Sequence, residues 1–298
     1  MARILVGTLR SIENEFESCC EALRQQSLQT FEHFVISGLP KLEAHDALFH
    51  AFMARSHEFD MFLKLDADMV LTRPTMLAEL SACFSEDKGL QLLTVGVHDF
   101  FSARLVNGLH MFRSDVRWNP RGDVLFTDVN EVDKFRTRLD FDVLAPAALH
   151  CPNPSPFQAF HYGLHRGLKI RAALSEGRST YVQIHLANVD ALWANFKRVG
   201  DRRLGLAALA VELALRGDFD HDDISYTNPR AESIFSVRFA HLSQRSLYVN
   251  TVRLKTMNRI RNPRLVLARI AGNARQLVRM SLLGADALGM QLRRRSPE

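Results

Sequence analysis

The sequence predicts an α/β protein: a mostly parallel sheet flanked by helices, followed by a helical C-terminal region. Three observations carry this. Short apolar runs alternate with helical stretches three times between residues 3 and 86, and such alternation builds a parallel sheet covered on both faces. Each of these runs ends in small or polar residues (Gly-Thr, Ser-Gly, Asp-Ala-Asp), as strands do where they enter loops. From Val189 onward the pattern is mainly helical.

The elements follow in order. Arg3-Ile4-Leu5-Val6-Gly7-Thr8 is a short apolar run that reads as a buried strand. Glu13 to Gln26 places Phe16, Cys19, Cys20 and Leu23 at helical spacing, with Ser11 as its cap. Phe31 to Ile36 is a second strand, and a second helix runs from about Glu43 to Ser56. Met61-Phe62-Leu63-Lys64-Leu65 is a third strand that leads directly into Asp66-Ala67-Asp68. Thr72-Arg73-Pro74 then opens a third helix, with Pro74 in its first turn. Beyond residue 90 the alternation loosens. Leu90–Val97 and Gly108–Arg113 read as strands, Asp123–Asp142 is polar and acidic, and Val143–His150 is an apolar strand ending in histidine. A proline-rich turn then feeds a helix from Phe157 to about Arg171.

Composition narrows the class. Of 298 residues, 47% are hydrophobic and 24% charged, which excludes a disordered or collagen-like chain. No apolar run reaches the length of a membrane span. The start, MARILVGTLR, has no signal-peptide pattern, so a cytoplasmic location is expected. No CxxC pair points to zinc, and the four cysteines read as packing residues. The net charge of +5 is an average of two unlike parts. Residues 253–298 hold eleven Lys+Arg and two Asp+Glu, whereas residues 1–252 hold 27 against 31.

In an open parallel sheet, ligands bind beyond the carboxyl ends of the strands. That rule selects the loops at Thr8-Leu9-Arg10, Ser37-Gly38-Leu39 and Asp66-Ala67-Asp68. Asp66 and Asp68 leave a buried strand two residues apart and can converge on one hard cation, which would relieve their repulsion and hold a diphosphate. The plainer alternative is that both are turn residues, or that Asp68 caps a helix. His161 and His165, at i and i+4, could face one ion, but no HExxH accompanies them and surface or supporting roles are expected. His98-Asp99 lies near an acceptor or in a loop without function.

The runs GTLRSIENEF and FLKLDADMVL resemble the nucleotide-sugar-binding half of a GT-A-fold glycosyltransferase, a Rossmann-like fold, and within it the inverting family 2 enzymes. The segment LHCPNPSPFQAFHYGLHRGLK is similar to a stretch of bacterial family 2 enzymes, rhamnosyltransferase-like ones included, where a strand ends in His before a polar turn and a basic helix. The resemblance spans roughly residues 3–171. It implies a catalytic domain over residues 1–185 and a helical region with a basic tail over 186–298. It also implies that Asp66, Asp68 and His150 form a metal–diphosphate site for Mn²⁺ or Mg²⁺. Thr8, Arg10 and Glu13 would lie at the nucleotide, together with Ser37 and Lys64. Asp128 is the first choice as catalytic base and Glu131 the second, in a stretch, FTDVNEVDKF, where Thr127 replaces the family's Glu. His110 or Arg113 would touch substrate.

The implied partners are a nucleotide-diphosphate sugar and a glycan or lipid-linked saccharide acceptor. Inverting transfer needs one carboxylate to accept the acceptor proton and one cation to stabilise the leaving diphosphate. A sugar-phosphate nucleotidyltransferase is the nearest rival, disfavoured by the lack of a Gly-rich loop after the first strand. A non-catalytic nucleotide- or glycan-binding relative is the other. In the tail, Arg264, Arg275 and Arg279 fall within about 60° on a helical wheel. The tail therefore either rests on an anionic membrane, at the inner face, or packs on the catalytic domain. Nucleic acid is not expected, since no aromatic residue interleaves the arginines.

Overall fold

The computed structural model describes residues 2–119, 125, 136–225 and 227–271. The chain runs β1 (Ile4–Arg10), α1 (Phe16–Arg24), β2 (Phe31–Ser37), α2 (Lys41–Ala54), β3 (Met61–Lys64), β4 (Met69–Leu71), α3 (Met76–Glu86), β5 (Leu92–Asp99) and β6 (Arg104–Arg113). It continues through β7 (Thr137–Asp140), β8 (Ala148–His150), α4 (Pro156–Ser175), α5 (Ser179–Val199), α6 (Arg202–Arg216), a 3₁₀ turn (His221–Ile224), α7 (Arg230–Arg238) and α8 (Gln244–Arg261). The strands form one sheet in the order β2-β1-β3-β6-β5-β8-β4, with β7 beside β5. Only β4 and β6 run against the common direction. This is the mixed α/β, mostly parallel architecture expected.

The period-two geometry of strands explains how so apolar a sheet is filled. Side chains alternate between faces. Ile4, Val6, Met61 and Leu63 enter one core with Leu23 of α1 and Leu77 and Leu80 of α3. Leu5 and Phe62 enter the other with Leu48 and Phe52 of α2 and Trp118. The rings of Phe52 and Phe62 stack at 4.1 Å there. β2 is an edge strand and shows no such continuous burial.

Several local expectations are corrected. The Thr72–Pro74 segment does not open a helix. Met69–Leu71 forms β4 on β8, and α3 starts at Met76. Its first turn is capped from outside, because Leu77 N donates to Gln26 Oε1 at 3.0 Å. The first helix starts at Phe16, with Glu15 rather than Ser11 at its N-cap position. The Val143–His150 strand shrinks to Ala148–His150, because Asp140 Oδ1 accepts the backbone N–H groups of Asp142, Val143 and Leu144 and turns the chain.

A third core joins α4 to α8 and includes Phe101 and Cys151. The expected boundary between residues 185 and 186 falls inside α5, and α4 packs on α6. The helical region is thus continuous with the helix that borders the site. Residues 263–271 are helical. Leu265 is buried in this core, and Arg269 pairs with Asp190 of α5, so this portion of the basic tail packs on the protein. The rest of the tail lies outside the described residues. No described helix is long and apolar enough to cross a membrane.

Candidate functional site

β1, β2 and β3 end side by side, and α4 lies across the space beyond them. Together they enclose a cavity of about 240 Å³. Arg10, Glu13, Ser37, Lys64, Asp66, Asp68 and His150 all line it. Opposite them stand Lys41 and His45 of α2, and His161, His165, Arg166 and Lys169 of α4. The carboxylates of the lining, Glu13, Asp66 and Asp68, all come from the sheet side, together with Arg10, Lys64 and His150. From α2 and α4 come basic groups and no carboxylate.

The start of α4 is fixed by its sequence. Ser155 caps the helix, accepting from Gln158 N at 3.1 Å, and Pro156 occupies the first turn. Gln158 also ties this turn to the β1–α1 loop. Its Nε2 donates to Glu15 Oε2 at 2.9 Å, and its Oε1 accepts from Asn14 N at 3.2 Å. Glu15 accepts from Asn153 N as well. The β1–α1 loop and the start of α4 are therefore locked together.

Three strand ends converge on the acidic side. Asp68 immediately precedes β4, Asp99 ends β5 and His150 ends β8; β8 pairs with both β4 and β5. His150 Nδ1 bonds Asp99 Oδ1 at 2.7 Å, and Nε2 lies 3.4 Å from Asp68 Oδ2. Cys151 donates its backbone N–H to Asp68 O at 2.8 Å and its thiol to Asp68 Oδ2 at 3.1 Å. Burial disfavours the imidazolium of His150, but Cys151, Asp68 and Asp99 outweigh it and hold the ring well above its usual range. Burial likewise opposes ionisation of Asp68, and His150, Cys151 and Lys64 overcome it to keep the carboxyl low. The Cys151 thiol is pushed up by burial and by Asp68.

The structure redistributes the expected residues. Asp68 and His150 meet, but Asp66 does not join them. Both its oxygens accept from Lys64 Nζ, at 2.7 and 2.9 Å, because a lysine buried at the end of β3 needs a carboxylate. Thr8 does not reach the cavity. It is buried within the sheet, with its Oγ1 2.9 Å from His33 Nε2. Glu13 is held by the N–H and hydroxyl of Ser11, and burial raises its pKa. Arg113 does not touch a site; it donates to the carbonyls of Phe84, Asp87 and Leu90. His110 bonds Thr94. Asp128 and Glu131 lie outside the described residues.

Sequence reading missed three features. Cys151, a packing residue by sequence, carries its thiol on Asp68. Asp99 stands behind His150, and its place at a strand end was the available signal. His161 is buried and His165 partly buried, and with the buried Lys169 they form one helix face at i, i+4 and i+8. Among the described residues, the one cluster of metal-ligating type is Asp68, His150 and Cys151.

Burial shifts the histidine of this face toward its neutral form. His161, bonded to Ile224 O at 3.0 Å, is lowered to about 4 by burial, with Lys41 adding to the effect. A base whose folded pKa lies below its unfolded value takes up a proton on unfolding. Stability is therefore intact above the unfolded value near 6.5 and falls as pH drops toward 4. Denaturation midpoints between pH 7 and 4.5 are expected to fall, with a contribution from His161 of about 1.4 kcal/mol per pH unit within that window. His161→Gln should reduce the slope by about one proton's worth; an unchanged slope would contradict neutral burial.

The fold and site define an α/β protein with a cavity of mixed charge beyond the ends of its parallel strands. No family model matches the chain, and no curated protein matches it. Among solved structures it is similar to S. aureus TarS 1–349, with a TM-score of 0.36 and 10% identity, covering 87% of this chain and 92% of that one. A second structure of S. aureus TarS gives 0.32 and 10%, covering 84% and 54%. A197 from STIV gives 0.31 and 12%, covering 37% and 64%.

Proposed function

We propose that this protein is a glycosyltransferase that moves a sugar from a nucleotide-diphosphate donor to a saccharide or lipid-linked acceptor, by an inverting displacement. The observation that carries this is the cavity at the strand ends, lined by Asp66, Asp68 and His150 together with Lys41, Arg166 and Lys169. The resemblance of the GTLRSIENEF, FLKLDADMVL and LHCPNPSPFQAFHYGLHRGLK runs to family 2 enzymes supports the same reading.

The residues fit a divalent cation. Asp68 Oδ1 is buried without a hydrogen-bond partner, and His150 has Asp99 behind its other nitrogen, an arrangement that orients a metal-ligating imidazole. Asp68 and His150 would hold the ion, which when bound supplies charge neutralisation for the leaving diphosphate. Lys41, Arg166 and Lys169 add fixed positive charge on the facing wall. Arg10 and Ser37 border the nucleotide end. Asp128, or else Glu131, removes the acceptor proton. The basic tail beyond residue 271 would let such an enzyme rest on an anionic membrane that carries a lipid-linked acceptor.

Thermal shift with UDP, GDP, dTDP and CDP, with and without Mn²⁺, tests this reading. Stabilisation by one diphosphate that requires the metal, and is lost in Asp68→Ala, is expected. No response to any nucleotide would overturn it. Preference for a triphosphate would favour sugar-phosphate nucleotidyl transfer instead.

A further inference from the structure

We propose that Cys151 is a third protein ligand beside Asp68 and His150, making a mixed oxygen, nitrogen and sulfur centre for one cation of the thiol-accepting class, Zn²⁺ or Co²⁺ rather than Mg²⁺. This deepens the glycosyltransferase reading by naming the cation class. It rests on that reading for the ion's use but not for its binding.

The donor atoms already form a compact triangle. Sγ of Cys151 lies 3.1 Å from Asp68 Oδ2 and 3.7 Å from His150 Nε2, and the latter two atoms are 3.4 Å apart. Tetrahedral coordination at ordinary zinc bond lengths gives edges of about 3.3 Å for O···N and about 3.6 Å for those to sulfur. All three residues line the cavity, so a fourth position faces the space where a phosphate oxygen or water can enter, as catalytic sites require.

Two further observations point to a ligand. Asp68 Oδ1 is buried without a partner beside this triangle. Cys151 has φ of 49°, in the left-handed region where glycine is the usual occupant. A cysteine kept in that conformation, with its thiol turned onto Asp68, suits a role for sulfur better than a role for the turn. Asp99 fixes the His150 ring through Nδ1, and Gln158 Nε2 lies 3.8 Å from the sulfur. Carboxylate and imidazole alone accept many divalent ions, but a thiolate selects zinc-like ions over magnesium.

Binding breaks the S–H bond of Cys151, whose proton leaves to solvent, while His150 offers the Nε2 lone pair with its Nδ1 proton kept in the hydrogen bond to Asp99. Bonds from sulfur, nitrogen and carboxylate oxygen to the metal form, and no oxidation state changes.

Titration of the full-length, metal-stripped protein with Co²⁺ tests this. A thiolate-to-cobalt charge-transfer band that saturates at one equivalent is expected, absent in Cys151→Ser and unchanged in Cys20→Ser. Zn²⁺ should displace the cobalt, and excess Mg²⁺ should not. No band in the parent protein, or a band that survives in Cys151→Ser, overturns the proposal. Should Cys151→Ser fail to fold, X-ray absorption of the zinc-loaded parent decides: a sulfur neighbour at about 2.3 Å supports the centre, and a shell of oxygen and nitrogen alone overturns it. The two readings fail separately. Metal-dependent diphosphate binding without the band leaves the glycosyltransferase and removes the sulfur ligand. The band without any nucleotide response does the reverse.

Discussion

Turnover of the Asp68→Ala protein in the proposed sugar transfer is expected to fall by about 10²–10³-fold, the scale on which a single group stabilising transition-state charge acts. Asp68 is the residue on which the site converges. Its Oδ2 meets the His150 ring and the Cys151 thiol, its carbonyl receives the Cys151 N–H, and its Oδ1 is buried without a partner. Removing the carboxylate leaves His150 with Asp99 but takes away the acid that would face the cation. The fold should persist, because the backbone bond from Cys151 and the β4–β8 pairing do not depend on the side chain. Unfolding stability should drop by about 1–3 kcal/mol, the cost of unpairing buried polar groups. Steady-state kinetics beside urea denaturation would check both. A turnover within about tenfold of the parent, which is only about 1.4 kcal/mol of barrier, would remove Asp68 from the chemistry.

Gly163→Ala should destabilise the protein by about 3 kcal/mol or more, at the upper end of overpacking costs, and Gly163→Val should prevent folding. In an exposed helix the first substitution would be stabilising by up to about 1 kcal/mol, so the expected sign is reversed. The reason is contact between backbones. A Cβ at Gly163 would lie 2.1 Å from the Ala207 carbonyl oxygen and 2.8 Å from Ala210 Cβ. One turn on, a Cβ at Gly167 would lie 2.6 Å from Val211 O and 2.7 Å from Ala214 Cβ. Small residues on α4 and α6 thus let the two helices touch along their backbones, and neither can yield without shifting the other. The same contact sets where α4 lies over the strand ends, and with it His161, His165, Arg166 and Lys169. Gly177, at φ 69° with open space around it, is the control; alanine there bears only the left-handed cost of about 1–2 kcal/mol. Equal urea midpoints for the two alanine variants would refute the packing account.

The legible part of the fold was the part governed by local pattern. Ile4-Leu5-Val6 and Met61-Phe62-Leu63 could only be buried strands, and alternation with helices made them parallel. Ser155 and Pro156 marked the start of α4 because capping is settled within four residues. Where a distant partner decided, the reading slipped. The cap of α3 comes from Gln26, 51 residues away; nearer by, the start of the Val143–His150 run is delayed because Asp140 turns the chain through Leu144. The boundary expected between residues 185 and 186 lies within α5, beside a core that joins α4 to α8.

At the site, residues 3–171 of the sequence already placed Arg10, Ser37, Asp66 and Asp68 at strand ends and His150 at the end of its own strand, since strand order and loop position follow from local patterning. The sequence by itself determined which loops carry chemistry. Only the tertiary structure decided how the charges are shared. Lys64, buried at the end of β3, takes Asp66 for itself, and the pairing of β8 with β4 and β5 brings Asp99, His150, Cys151 and Asp68 together. The contacts among Asp99, His150, Cys151 and Asp68 are made across 51 to 83 residues of chain, through the register of strands, and no local pattern encodes them.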